Sequence, residues 1–328
     1  MEKAAVSDPE HFTIRPYLPE DKPGILSLWK AAFHKDLSES LWQWKYFENP
    51  YERCMLVCVN DAGDPVVMYG GIPYRANFDG KSTEIIQLMD IMSHPDYRKT
   101  GLFIRTGNAF YDAFCGSTKA ALLYGFPGQY HFDIGKKYLS YQRLVEDIAY
   151  LRAETRTLAD RASQPFGVIE SVGAVNETFD RIWENCRNHY PFSIVRDSAF
   201  LHWRFLKHPL KSYEIWGYRA VQQHDLQAYV VLSIQRDKAV LVDMLSPSQG
   251  VDLTHLFCKL GKMLADRGVA LLDTWLPGNH FLAKGAEASG FSRYSEPTGI
   301  IPTVRLFEPS LQWVSDHIYY SMGDGDIF

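Results

Sequence analysis

Between positions 85 and 107 the chain reads IIQLMDIMSHPDYRKTGLFIRTG, and the residue types there suit the binding of an anion. An apolar run feeds a loop containing Pro95 and the sequence Arg98-Lys99-Thr100-Gly101, after which helical spacing begins. A glycine-bearing loop that opens a helix offers unpaired backbone N–H groups and the positive end of the helix dipole, and both favour phosphate oxygens. Arg98 and Lys99 add positive charge at that point. On the residues alone, a basic turn in which Gly101 serves only geometry carries similar weight. Asp90 stands just before this loop amid apolar IIQLM and IM, and a carboxylate so placed is either a general base or one half of a structural ion pair. His94 is a second base candidate, or a residue that sets the loop ahead of Pro95.

The elements that must hold this segment occur twice. Residues 41–50 read LWQWKYFENP and residues 200–209 read FLHWRFLKHP, which pairs Trp44 with Trp203, Lys45 with Arg204, Tyr46 with Phe205 and Pro50 with Pro209. Upstream of each copy lies an amphipathic helix, with Ile25, Leu28, Trp29, Ala32 and Phe33 on one and Val175, Phe179, Ile182, Trp183 and Cys186 on the other. Downstream come extended segments: CMLVCVN, DPVVMYGG and STEIIQLMDIM against YEIWGYRA, LQAYVVLSI and KAVLVDML, with FDGK at 78–81 marking a hairpin. A second helix follows in each half. One ends near Gly116; the other spans 253–267, with Asp252 as N-cap and Gly268 as terminator. Short apolar strands, ALLYGF (121–126) and ALLDTWL (270–276), come next, and a third helix and a last strand are expected to close each unit. The result is two α/β units of one ancestry, residues 1–162 and 163–328, with Trp44 and Trp203 in equivalent core positions.

Composition sets the outer bounds. The 328 residues suffice for about two domains and a large core. A net charge of −5 argues against a broad nucleic-acid surface. No run approaches the ~20 apolar residues of a membrane helix, and the first residues lack a signal-peptide core, so the expectation is a cytoplasmic protein. Its five cysteines are scattered and show no zinc-ligand spacing, so reduced buried thiols are expected and no metal.

The stretch Arg98-Lys99-Thr100-Gly101-Leu102-Phe103 resembles the pyrophosphate-binding motif of the GNAT superfamily of acyl-CoA N-acyltransferases, Arg/Gln-x-x-Gly-x-Gly/Ala, with Phe103 where Gly or Ala is usual. HPDYR before it, GLF after it, the repeated WKYFENP and WRFLKHP, and ASGF at 288–291 are similar to the tandem members of that family. The resemblance implies two tandem GNAT-like units, each a mixed, mostly antiparallel twisted sheet flanked by helices. It further implies an acyl-CoA donor, acetyl-CoA by default, lying between splayed strands at about 84–93 and 120–126. The pantetheine arm would pair with backbone at Met92 and Ser93, and the pyrophosphate would meet the amides of Arg98, Lys99, Thr100, Gly101, Leu102 and Phe103. SPSQGVDLTHL, the matching stretch of the second half, lacks the motif, so one CoA per chain is expected.

The implied reaction is acyl transfer to a primary amine of a small molecule, an amino sugar or aminoglycoside among them, with no nucleic-acid or membrane partner and a homodimer left open. Asp90 is the base expected from the strand. The family's acid is a tyrosine on the helix after the second splayed strand; here that position falls near Gly135 or Lys136, leaving Tyr138 as first choice and Tyr141 or Tyr130 as substitutes. Some tandem members use a terminal carboxylate as base, which by resemblance brings in Asp326, with Asp324 and the Phe328 carboxylate beside it. Two alternatives stay open: a transferase using another acyl carrier, such as aminoacyl-tRNA or acyl-carrier protein, and a non-catalytic module that senses CoA or binds a partner.

Overall fold

The computed structural model describes residues 11–116, 118–161, 167–221 and 223–325. Two mixed sheets form the frame. The first contains β1 (Thr13–Pro16), β2 (Cys54–Val59), β3 (Pro65–Phe78), β4 (Lys81–Ser93), β5 (Leu122–Gly125) and β6 (Gln142–Arg143), together with β9 (Phe192–Ile194) and β15 (Thr303–Leu306). The second contains β7 (Ile148–Glu154), β8 (Gly167–Val172), β10 (Glu214–Ala220), β11 (Ala228–Gln235), β12 (Lys238–Leu245), β13 (Leu271–Pro277) and β14 (Ser292–Tyr294). Their orders are β1-β2-β3-β4-β5-β15-β6, with β9 on β3, and β14-β7-β13-β12-β11-β10-β8. Pairing is antiparallel except for β4 with β5 and β12 with β13.

Helices cover the faces: α1 (Lys22–Phe33), α2 (Glu39–Tyr46), α3 (Leu102–Phe114), α4 (Gln129–Tyr138) and α5 (Thr155–Ala159), then α6 (Glu177–Cys186), α7 (Ser198–Leu201), α8 (Leu253–Asp266), α9 (Phe281–Ala288) and α10 (Leu311–His317). Their ends follow local chemistry. Asp252 accepts hydrogen bonds from the N–H groups of Thr254 and His255 at the start of α8, and Gly268 turns the chain after it at φ 77°. Asp79 and Gly80, both at positive φ, make the two-residue turn between β3 and β4. Apolar periodicity buries Phe179, Ile182, Trp183 and Cys186 on α6 and Ile25, Leu28 and Trp29 on α1, whereas Phe33 is left exposed. The cysteines are all buried and free.

The two units are interlocked. The strand after α4 was expected to close the first unit; the two-residue β6 stays in the first sheet beside β15, while β7 crosses to the second sheet, pairing with β13 and β14. In return β15, from near the chain's end, pairs with β5 and β6 in the first sheet. Each exchange covers a strand edge that would otherwise present unpaired N–H and C=O groups. The expected division at 162/163 falls outside the described residues, and the sheets exchange strands across it.

The repeated motif meets itself at the centre. The Trp44 and Trp203 rings stack with centroids 4.9 Å apart, and each indole Nε1 donates to the other residue's carbonyl oxygen at 2.9 Å.

Candidate active site

β4 and β5 pair only from Ile85–Gln87 to Leu122–Tyr124 and then diverge. Beyond Gln87 the β5-facing edge of β4 has no ladder partner among the described residues. A cleft of about 320 Å³ opens there, lined by Leu88 to Ile91 on one side and Leu123 to Pro127 on the other. His131 from α4 and Tyr141 after it also face the cleft.

A β-bulge lies at the same point. Met68 pairs with Met92 and Gly70 with Met89, so Tyr69 alone opposes Asp90 and Ile91. Asp90 takes φ 53°, a left-handed conformation rare for a non-glycine residue. Its buried carboxylate accepts from Lys45 Nζ at 2.9 Å through both oxygens and from the Tyr46 hydroxyl at 2.5 Å. Both partners belong to the first copy of the repeated motif. Of the two sequence expectations for Asp90, the structure therefore displays the ion pair: the residue lines the cleft with its oxygens engaged, and it pins the bulge.

At the far end of the edge, Pro95–Tyr97 form a 3₁₀ turn and Lys99 and Gly101 both take positive φ before α3 begins. Gly101 is the N-cap residue and supplies no side-chain hydrogen bond, so the first amides of α3 remain without a side-chain cap. Arg98, Lys99, Thr100 and Gly101 are exposed, while Leu102 is buried. The Phe103 ring packs inward against Tyr69 and His131 at centroid distances of 5.2 and 5.8 Å. Met92 is buried in the core beneath α1, and Ser93 pairs with Val67 of β3.

The expected acids separate. Tyr138 ends α4, 52% exposed and outside the cleft lining. Tyr141 is in the lining. Its ring lies against Gly135, where a Cβ would meet Cδ2 at 1.9 Å, so the ring of residue 141 fills the space that a side chain at 135 would need. Burial, aided by Tyr111, raises the Tyr141 pKa well above the ordinary phenol value. Asp326 and Phe328 lie outside the described residues.

Sequence reasoning passed over Tyr124. Buried on β5, it lines the cleft, and its hydroxyl has no hydrogen-bond partner among the described residues. Burial, with Tyr74 and Asp324 nearby, raises its pKa well above 10, so it holds its proton at every working pH. The one signal in the sequence was its place on the second splayed strand.

The second unit repeats the geometry without the opening. β12 carries its own bulge at Val242, and β12 and β13 pair only from Lys238–Val240 to Leu271–Asp273. Residues 319–324 pack there. The Tyr319 hydroxyl donates to the Met244 carbonyl at 2.6 Å, the Ser321 hydroxyl donates to Asp243 at 2.7 Å, and a Cβ on Gly323 would lie 3.2 Å from the Val242 carbonyl. Arg204, the counterpart of Lys45, donates to the carbonyls of Gly323 and Gly325. From this segment the Asp324 carbonyl accepts from Gln87 Nε2 of β4 at 2.7 Å, which ties the chain's end to the first splay.

Among the described residues, no group of three His, Cys, Asp or Glu side chains is placed to hold a metal ion, and no helix is long and apolar enough to cross a membrane. No curated protein matches the chain in sequence. The family model described as an acetyltransferase (GNAT) domain matches residues 13–136. Among solved structures, the chain is similar to a conserved Enterococcus faecalis V583 protein of unknown function described as a probable N-acyltransferase. The identity is 15%, covering 91% of this chain and 73% of that one, with a TM-score of 0.70. A GCN5-related N-acetyltransferase from Kribbella flavida matches at 10% identity over 93% of this chain and 72% of that one, TM-score 0.64. A tandem GNAT protein from the clavulanic acid biosynthesis pathway matches at 14% identity over 92% of this chain and all (100%) of that one, TM-score 0.57. At such identities the structural likeness is one of fold, and the family model adds the domain. Residues 13–136 match a GNAT acetyltransferase domain, and the chain as a whole has the fold of solved GNAT proteins, a tandem one among them.

Proposed function

We propose that the chain transfers an acyl group, acetyl by default, from acyl-CoA to a primary amine of a small molecule, amino sugars and aminoglycosides included. The observation that carries this reading is the continuity of one surface. The unpaired edge of β4 starts after Gln87, passes the Asp90 bulge beside a cleft of about 320 Å³, and leads to the uncapped, basic start of α3.

In this reading the amides of the pantetheine arm add to β4 around Met92 and Ser93, as an extended segment adds to any open strand edge. The pyrophosphate meets the amides of residues 98–103, with Arg98 and Lys99 supplying charge. Backbone donors released at the bulge face the thioester carbonyl. The acceptor ammonium gives up one proton to become a nucleophile. Its nitrogen forms a bond to the thioester carbon, the carbon–sulfur bond breaks, and the departing thiolate takes a proton. Asp324, which shares a small cavity with Tyr124 and whose Oδ1 has no hydrogen-bond partner among the described residues, is the carboxylate suited to receive the first proton; burial raises its pKa against the pull of Arg196. Tyr124, protonated at the border of the cleft, is suited to deliver the second. Asp90 fixes the bulge through Lys45 and Tyr46. Arg204 and the segment 319–324 occupy the second splay, so one CoA binds per chain.

Thiol release from acetyl-CoA is the direct test. Amine-dependent release by the wild type, lost in Tyr124→Phe while acetyl-CoA binding persists, supports the assignment. Release that no amine stimulates contradicts it.

A further inference from the structure

The two faces of the first sheet carry different helices. On one, Leu88 and Ile91 of β4 pack with Leu102, Phe103 and Phe110 of α3. On the other, Met68 of β3 and Met92 of β4 pack with Trp29 of α1 and with Trp42 and Tyr46 of α2. The cleft between the diverging strands reaches both faces. Its lining includes His131 and Tyr141 on the α3 side, and Trp29, Phe33 and Lys35 from α1 and the turn after it. The donor is proposed to enter along the α3 side, which leaves the α1 side to the acceptor.

Charge on that side is of one sign. The cleft lining holds a single carboxylate, Asp90, and Lys45 engages both of its oxygens. Burial lowers the His131 pKa and so keeps that ring neutral at pH 7. Arg305 is spent on the α3 side, where it donates to the Leu139 carbonyl at 3.0 Å and lies 3.9 Å from the centre of the Tyr111 ring. Lys35 is left. His34, left-handed at φ 57°, ends α1 and sets Lys35 beside the cleft. Its Nζ stands 5.9 Å from the centre of the Trp29 ring, which is itself buried and packed on Phe33. Lys35 is exposed, and it donates no hydrogen bond and pairs with no carboxylate among the described residues; the acid nearest in sequence, Asp36, pairs with Lys30.

We propose that Lys35 binds an anionic group of the acceptor, a carboxylate or a phosphate, and so selects amines that carry one. The inference rests on the acyltransferase reading above and narrows it to a substrate class. A lysine ammonium is a compact point charge on a flexible stem, so it reads the sign of a group before its shape. An acid-bearing amine meets Lys35 at the mouth of the cleft and presents its nitrogen to the diverging strands. A polycation meets a like charge there, and the one carboxylate of the lining is already engaged. Amino acids and acid-bearing amino sugars therefore rank first among the amines that reading admits, and polyamines and aminoglycosides last.

The test uses the full chain, acetyl-CoA, and primary amines of about two to six carbons that end in a carboxylate, a hydroxyl or a second amine, with phosphoethanolamine and the aminoglycoside neamine beside them. Thiol release reads kcat/KM, and calorimetry reads acetyl-CoA binding, in wild type, Lys35→Gln, Lys35→Arg and Lys35→Glu. At the best chain length the amino acid is expected to exceed the amino alcohol by about fivefold or more, with the diamine and neamine below both. The preference shrinks to about twofold or less in Lys35→Gln, persists in Lys35→Arg, inverts in Lys35→Glu and weakens as salt rises. Acetyl-CoA affinity and melting temperature stay unchanged in all three, which a structural role for Lys35 does not predict together with inversion. Phosphoethanolamine ahead of the amino acids names phosphate as the group Lys35 takes, and the reverse order names carboxylate. No preference by charge, a preference for diamines or neamine, or an acid preference that Lys35→Gln retains overturns the role of Lys35 and leaves the proposed function standing. Wild type that binds no acetyl-CoA, or thiol release that none of these amines stimulates, overturns the proposed function and this inference with it.

Discussion

Trp44 and Trp203, 159 positions apart, each donate an indole N–H to the other's main-chain carbonyl and stack at an interplanar angle of 19°. The contact is two-fold in character: the same residue of each repeated motif plays both roles. It joins the copy that anchors the first bulge, through Lys45 and Tyr46, to the copy that holds the terminal segment, through Arg204.

Truncating either ring removes a large buried side chain, a stacking partner and a buried hydrogen bond together. Trp44→Ala is expected to cost about 3–5 kcal/mol, and Trp44→Phe, which keeps a ring but loses the donor, about half of that or less. Urea unfolding followed by fluorescence measures both. Equal losses in the two variants would show that the hydrogen bond, not the packing, dominates.

Asp90 and Lys45 form a buried pair in which either partner alone is an uncompensated charge. Lys45→Met is therefore expected to destabilise by about 3–5 kcal/mol, and the double variant Lys45→Met with Asp90→Asn to recover much of that loss. A double-mutant cycle in urea checks the coupling. Additive losses would mean that the two groups do not depend on each other.

Acid sensitivity has identifiable carriers. Burial, then Arg196 and Lys284, lowers the His280 pKa to about 3, and burial, then Arg204, Lys211 and Lys45, lowers that of His208 to about 3. Both are neutral in the folded chain, whereas the unfolded chain takes up protons near 6.5. Between those values the unfolded state binds more protons, so stability falls as pH drops from about 6.5 toward 3 and is flat in this respect above 6.5. In His280→Phe the slope of stability against pH over that window is expected to shrink, whatever its absolute stability. An unchanged slope would remove His280 as a carrier.

Much of this was legible in the chain itself, for definable reasons. The doubling was legible because Trp, a basic residue and an aromatic recur at fixed spacing before matching strands, and burial of one face imposes that pattern locally. The α3 loop was legible because positive φ at its N-cap demands Gly101. The exchange of β7 and β15 was not, since a buried strand reads alike whichever sheet receives it. Asp90 was singled out for its apolar neighbours, but its partner lies 45 positions upstream, and only the fold brings the two together. Tyr138 was favoured by nearness in sequence to the family's position. The space at Gly135 is filled instead by Tyr141, beyond the end of α4, through a close approach that only a residue without a Cβ permits. Tyr124 was passed over because its buried, unpartnered hydroxyl lies beside a cleft that forms only where β5 parts from β4, which no local pattern records.

The most direct measurement is calorimetric titration of acetyl-CoA into the wild type and into Arg98→Ala with Gly101→Trp. In the variant a charge is gone and a side chain stands where φ is 84° and the amides of α3 begin. The account predicts one site per chain with micromolar affinity in the wild type and loss of that binding in a variant that remains folded. Undiminished binding in the variant, or two sites per chain, would contradict it.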